Sequence, residues 1–140
     1  MPSRFRLTPR WRAVLSLAVL IPLGLAVRFV PLPFVGPWLN DLLGSVVYVV
    51  FWCVVAVAIW PRRQGVWQIP LGVLGFTCLI EVLQLWQAPW LVALRATVPG
   101  RLILGNTFVW LDFAHYAVGA IAGWLWLRWL WQRGREHHLR

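Results

Sequence analysis

Four long apolar runs, each closed by proline or arginine, set the layout of this 140-residue chain. Ala13 to Val27 is apolar apart from Ser16, with Pro22 as a potential kink and arginines on both sides, Arg12 and Arg28. Leu42 to Trp60 is long enough to cross about 30 Å of hydrocarbon at about 1.5 Å per residue. The third run, Ile69 to about Gln87, carries Gly72, Gly75, Thr77, Glu81 and Gln84, and Pro89 follows it. The fourth runs from about Phe108 to Trp131, with Asp112 as an alternative N-terminal start because aspartate caps helices well. Together they predict membrane helices at about 12–28, 41–60, 68–88 and 108–131.

The connections are short. Phe29 to Trp38 is too rich in proline for a helix and too apolar for a solvated loop, which places it in the membrane interface. Pro61 to Gly65 reads as a tight turn that makes its neighbours antiparallel. Trp90 to Thr97 reads as one or two turns of interfacial helix and Val98-Pro99-Gly100 as a turn, while 132–140 is a polar, basic tail. The first run also resembles a signal peptide, but no small-x-small site follows Ala26, so an uncleaved helix is expected. With no repeat or soluble segment in view, residues 1–140 read as one integral membrane domain. The expected fold is an all-α polytopic membrane protein with four transmembrane helices, short loops and an interfacial outer segment.

Composition strengthens this reading. The chain is 61% hydrophobic and 12% charged, with a mean hydropathy of +0.72, against about 25% charged residues in soluble domains. A net charge of +9 suggests nucleic acid, but the arginines flank apolar runs, where they set topology, so no nucleic-acid partner is expected. Ten arginines fall on one side (Arg4, Arg6, Arg10, Arg12, Arg62, Arg63, Arg128, Arg133, Arg135 and Arg140) and three on the other (Arg28, Arg95 and Arg101). Both termini are therefore expected in the cytoplasm, in a bacterial inner membrane. Tryptophans follow the same boundaries, with Trp11, Trp60, Trp67, Trp129 and Trp131 at the inner ends and Trp38, Trp86, Trp90 and Trp110 at the outer ends. Cys53 and Cys78 lack zinc-like spacing and read as small buried hydrophobes.

Three of the four acids fall toward the outer side. Helical spacing extends each into a stripe: Asp41, Gly44 with Ser45, Tyr48 and Trp52; Thr77, Glu81, Gln84 and Ala88; Asp112, His115 with Tyr116, Gly119, and Ala122 with Gly123. Polar members turn away from lipid and small residues allow close approach, so the stripes predict a polar cluster open to the outside. Gly119 and Gly123 form a GxxxG pair, a helix-packing signal and a candidate oligomer contact. Plainer roles stand beside these. Asp41 after Asn40 fits a helix cap, as does Asp112. The acids also fit charge pairs with Arg28, Arg95 and Arg101 that fix helix packing. His115 with Glu81 and Asp112 would complete a two-carboxylate, one-imidazole metal site, although a hydrogen-bonded core histidine is the commoner case. There is no G-x-S-x-G, no H-E-x-x-H and no phosphate-cradling glycine loop, and no cofactor motif is seen.

The run Glu81-Val82-Leu83-Gln84-Leu85-Trp86-Gln87-Ala88-Pro89-Trp90-Leu91, then Leu94-Arg95-Ala96-Thr97, Gly100, Leu104-Gly105, Phe108 to Asp112, Tyr116 and Gly119 resembles the DUF2809 family of small bacterial membrane proteins. The likeness is close over the C-terminal half and otherwise extends to helix count and placement. The same skeleton is more distantly similar to VanZ-like proteins, which implies a bacterial envelope setting. The chain lacks their asparagine after the aspartate, so no VanZ function is carried over. The resemblance singles out Glu81, Gln84, Arg95, Asp112 and Tyr116 without assigning them chemistry.

The leading expectation is a non-enzymatic module that binds an envelope lipid or other amphiphile, with Arg95 and Arg101 meeting an anionic head and Glu81 with Asp112 orienting them. A membrane-embedded enzyme or metal site using Glu81, Asp112 and His115, an oligomeric transporter subunit and a purely structural membrane protein are the alternatives.

Overall fold

The computed structural model describes residues 8–30, 33–62 and 66–132. These form an all-α fold of six helices: α1 (Pro9–Phe29), α2 (Pro37–Ile59), α3 (Gln68–Leu83), α4 (Pro89–Ala96), α5 (Val98–Leu104) and α6 (Trp110–Gln132). The arginines at 4, 6, 63, 133, 135 and 140, most of the expected 61–65 turn and all of the polar tail but Gln132 lie outside the described residues. Two helices, α1 and α2, are long and apolar enough to cross a membrane, and α3 is a shorter apolar helix.

Several expected boundaries shift, and proline accounts for those at the starts of α2 and α5. Proline stands in the first turn of α1, α2, α4 and α5, where its missing N–H has no helical partner to lose and its fixed φ suits the helix. Pro37 thus opens α2 four residues before the expected start. Asp41 lies in the second turn, and the residue at the cap position is Gly36. Asp112 is likewise inside the first turn of α6 rather than its cap. Val98-Pro99-Gly100 is the first turn of α5, with Thr97 as its N-cap. At the other extreme α3 stops at Leu83, five residues short of the expected end.

Helix α2 is the central element, packed against α1, α6 and α3, and α3 also packs on α6. Its buried face, Val49, Val50, Cys53, Val54 and Val57, meets Ala120, Leu127 and Leu130 of α6 and Ala13 and Leu20 of α1. The α2–α6 seam is close because glycine lines it. A Cβ on Gly119 would come within 2.8 Å of Val49 Cβ, and one on Gly123 within 2.8 Å of Cys53 Sγ. The GxxxG pair is therefore used within the chain, against α2. Cys53 is a buried free thiol, as expected, and Cys78 is half-buried. The start of α1 and the end of α6 are joined by Arg12, which donates to the Leu130 carbonyl (3.0 Å), and by Trp126, which donates to Ser16 Oγ (3.2 Å). The ends of α1 and α3 and the starts of α2 and α6 consequently gather at the opposite end of the bundle.

Candidate functional site

Glu81 lies in the last turn of α3 and is fully buried. Its Oε1 accepts the backbone N–H of Val109 (2.7 Å), just before α6, and its Oε2 accepts from Gln84 Nε2 and from the Tyr116 hydroxyl, both at 3.0 Å. The Val109 N–H belongs to a helix start, where backbone donors lack helical partners and negative charge is favoured. Glu81 is therefore a clasp between α3 and α6. Of the expected site residues, Gln84 and Tyr116 join Glu81 here.

Arg95 also serves the backbone. It is 4% exposed, and it donates from Nη2 to the Leu83 carbonyl (2.7 Å) and from Nη1 to the Gln84 carbonyl (3.5 Å). A cation on the carbonyls that a helix leaves unpaired at its C-terminus is a favourable cap. This replaces the expected headgroup role of Arg95 and helps to end α3 at Leu83. Thr97 then turns the chain from α4 into α5, its hydroxyl donating to the Leu94 carbonyl (2.7 Å) and accepting the Gly100 N–H (3.1 Å). Only glycine fits at position 100, because a Cβ would overlap the Leu94 carbonyl oxygen. Gly105 closes α5 at φ +67°, with the Gln84 amide so near that a Cβ would lie 2.6 Å from Nε2. Helix α5 is anchored to the bundle by the Tyr48 hydroxyl, which donates to the Ile103 carbonyl.

A partly open cavity of about 600 Å³ lies between α1, α2, α5 and α6. Its lining includes Arg28 at the end of α1, Asn40 and Asp41 in α2, Arg101 in α5, and Asp112, His115 and Tyr116 in α6. Leu20 and Ile21, about two turns further along α1, and Phe51, nearly three turns along α2, extend the lining into apolar surface. Neither Glu81 nor Arg95 contributes to it. The expected pairing of acids with Arg28, Arg95 and Arg101 does not form. Among the described residues no arginine makes an ion pair with Asp41, Glu81 or Asp112, and the side chains of Arg28, Arg101 and Asp41 make no hydrogen bond to the protein.

His115 is 4% exposed. Its Nδ1 stands 3.5 Å from Asp112 Oδ1, and the edge of Trp38 packs on its ring at 6.4 Å between centroids. Its Nε2 is buried without a hydrogen-bond partner, as are Asn40 Oδ1 and Gln84 Oε1, all on residues that line the cavity. With His115 Nδ1 and Trp52 Nε1, five such atoms lie on cavity-lining residues, an unusual number because buried polar atoms in native proteins are nearly always satisfied. The expected metal alternative is not assembled: Glu81 is held by Val109, Gln84 and Tyr116, and no group of three or more His, Cys, Asp or Glu side chains comes together among the described residues.

The sequence reading placed Arg101, Asp112, His115 and Tyr116 at the site, and these line the cavity. Asp41, expected both as a cap and in the polar stripe of α2, and Arg28, expected at the topology boundary and in the charge pairs, line it too, with Asn40 beside them. Their shared position flanking the proline-rich segment was the signal that they face the same space.

A family model described as "Protein of unknown function (DUF2809)" matches residues 35–120, which hold the cavity wall from α2 to α6 and the whole Glu81 clasp. No solved structure matches the chain.

Proposed function

The chain belongs to the DUF2809 family, and from that premise we propose that it is a four-span bacterial inner-membrane protein, non-enzymatic, whose cavity binds an envelope lipid or other amphiphile. In this reading α1, α2, α3 and α6 cross the bilayer. Large apolar side chains are exposed on the three outer helices, such as Val19 and Leu23 on α1, Leu71 and Leu79 on α3, and Ile121 and Leu125 on α6. Water does not favour so much apolar surface, and lipid does. The excess of arginine beside the start of α1 and the end of α6 puts both termini in the cytoplasm and opens the cavity to the outer leaflet.

The observation that carries the binding reading is the cavity's division. Unpaired charges gather where the helices end, and apolar wall continues toward the bundle centre, which matches a molecule with a charged head and a hydrocarbon chain. Arg28 and Arg101 are exposed at the ends of α1 and α5, where a headgroup phosphate supplies acceptors that suit a guanidinium.

The test is lipid co-purification. Arg28→Ala with Arg101→Ala should remove most of the retained amphiphile, read by native mass spectrometry, with a thermal unfolding midpoint close to that of the wild type. Unchanged retention in a folded double variant would sink the proposal.

A further inference from the structure

We infer that the head recognised by this cavity is zwitterionic, carrying a phosphate for Arg28 and Arg101 and an ammonium group for Asp41 and Asp112. This rests on the amphiphile reading and narrows it to one chemical class, that of phosphoethanolamine.

The lining arginines and aspartates balance, two of each sign, yet no arginine is paired with an aspartate. Opposite charges that share a cavity without meeting leave both signs open to a ligand. A purely anionic head would answer the arginines and bring further negative charge to Asp41 and Asp112, which already lie near enough to feel each other. A purely cationic head has the opposite fault. A head with both groups satisfies all four, and the N–H donors of a primary ammonium suit carboxylate oxygens.

His115 supplies an independent observation. Its ring is more than nine-tenths buried, stands beside Asp112 and Trp38, and leaves Nε2 without a partner in a side chain that lines the cavity. With Nδ1 facing the Asp112 carboxylate, Nε2 is free to accept a hydrogen bond from the ammonium group or a neighbouring hydroxyl.

The experiment is native mass spectrometry of the full chain released from nanodiscs made of equal parts dioleoyl phosphatidylethanolamine and dioleoyl phosphatidylglycerol. The wild type should retain the ethanolamine lipid at least tenfold over the glycerol lipid. Asp41→Asn with Asp112→Asn should abolish that preference while leaving lipid bound. Asp41→Asn alone, at an exposed position, should reduce it several-fold without disturbing the fold. Preference for phosphatidylglycerol, or equal retention of both by the wild type, overturns the zwitterion and leaves amphiphile binding standing. Retention of neither lipid overturns both, unless soluble glycerophosphoethanolamine binds in its place, which keeps the zwitterionic head and removes the hydrocarbon chain from the ligand.

Discussion

Glu81 and Asp112 are carboxylates at the same end of the bundle, and their surroundings are opposite. Glu81 is sealed among Val109, Gln84 and Tyr116, with both oxygens occupied by donors from the protein. Asp112 stands at a cavity beside a histidine whose Nε2 has no hydrogen-bond partner, and the arginines that line the same cavity make no ion pair with it. The deeper acid is thus closed within the chain, and the shallower, less satisfied one faces the cavity. Depth in an apolar run identifies an acid that needs an explanation. Whether its hydrogen bonds close within the chain decides what the explanation is.

The sharpest way to break this contrast is Glu81→Ala. It strips the acceptor from two side chains and a helix-start N–H, and at about 1–3 kcal/mol per buried group left unsatisfied the loss should reach about 3–5 kcal/mol. Thermal unfolding in detergent would show a large drop, and a wild-type midpoint would remove the clasp. Next comes Arg95→Ala, which uncovers the Leu83 and Gln84 carbonyls and should cost about 2 kcal/mol. Lipid retention by the folded fraction should be unchanged, and a selective loss of lipid would return Arg95 to the site. The smallest effect is expected from Gly119→Ala. Its methyl group would press on Val49 Cβ and the Val46 backbone, costing about 1–3 kcal/mol, while the gain in helix propensity returns about 1 kcal/mol. A net loss near 1 kcal/mol in the same assay is expected, and a gain in stability would mean that the α2–α6 seam is looser than described.

The apolar runs were enough to place α1, α2, α3 and α6, with α3 ending earlier than expected, and to bring Glu81, Gln84, Asp112, His115 and Tyr116 to one end of the bundle. They were not enough to separate clasp from cavity, because the decisive partners are backbone groups. The Val109 N–H on Glu81 and the Leu83 carbonyl on Arg95 have no letter of their own in the sequence. Proline misled for a related reason. Pro37 and Pro99 read as interruptions, and they are residues of first helical turns. The cavity wall made by α5 depends on Gly100 passing against the Leu94 carbonyl, a contact fixed by three-dimensional packing and silent in a Val-Pro-Gly string.

The Glu81 clasp also bears on how the chain is made. On emerging from the ribosome, α3 carries a carboxylate whose other principal donors lie 28 and 35 residues ahead, at Val109 and Tyr116. Until α6 arrives, Gln84 is the only one of the three donors already made. In the four-span reading proposed above, lateral release of α3 alone into lipid would strand that acid, so α3 and α6 would leave the insertion machinery as a pair, with α4 and α5 as the connector between them. In that reading Glu81 would order the assembly of the bundle as well as hold α3 to α6 once it is made.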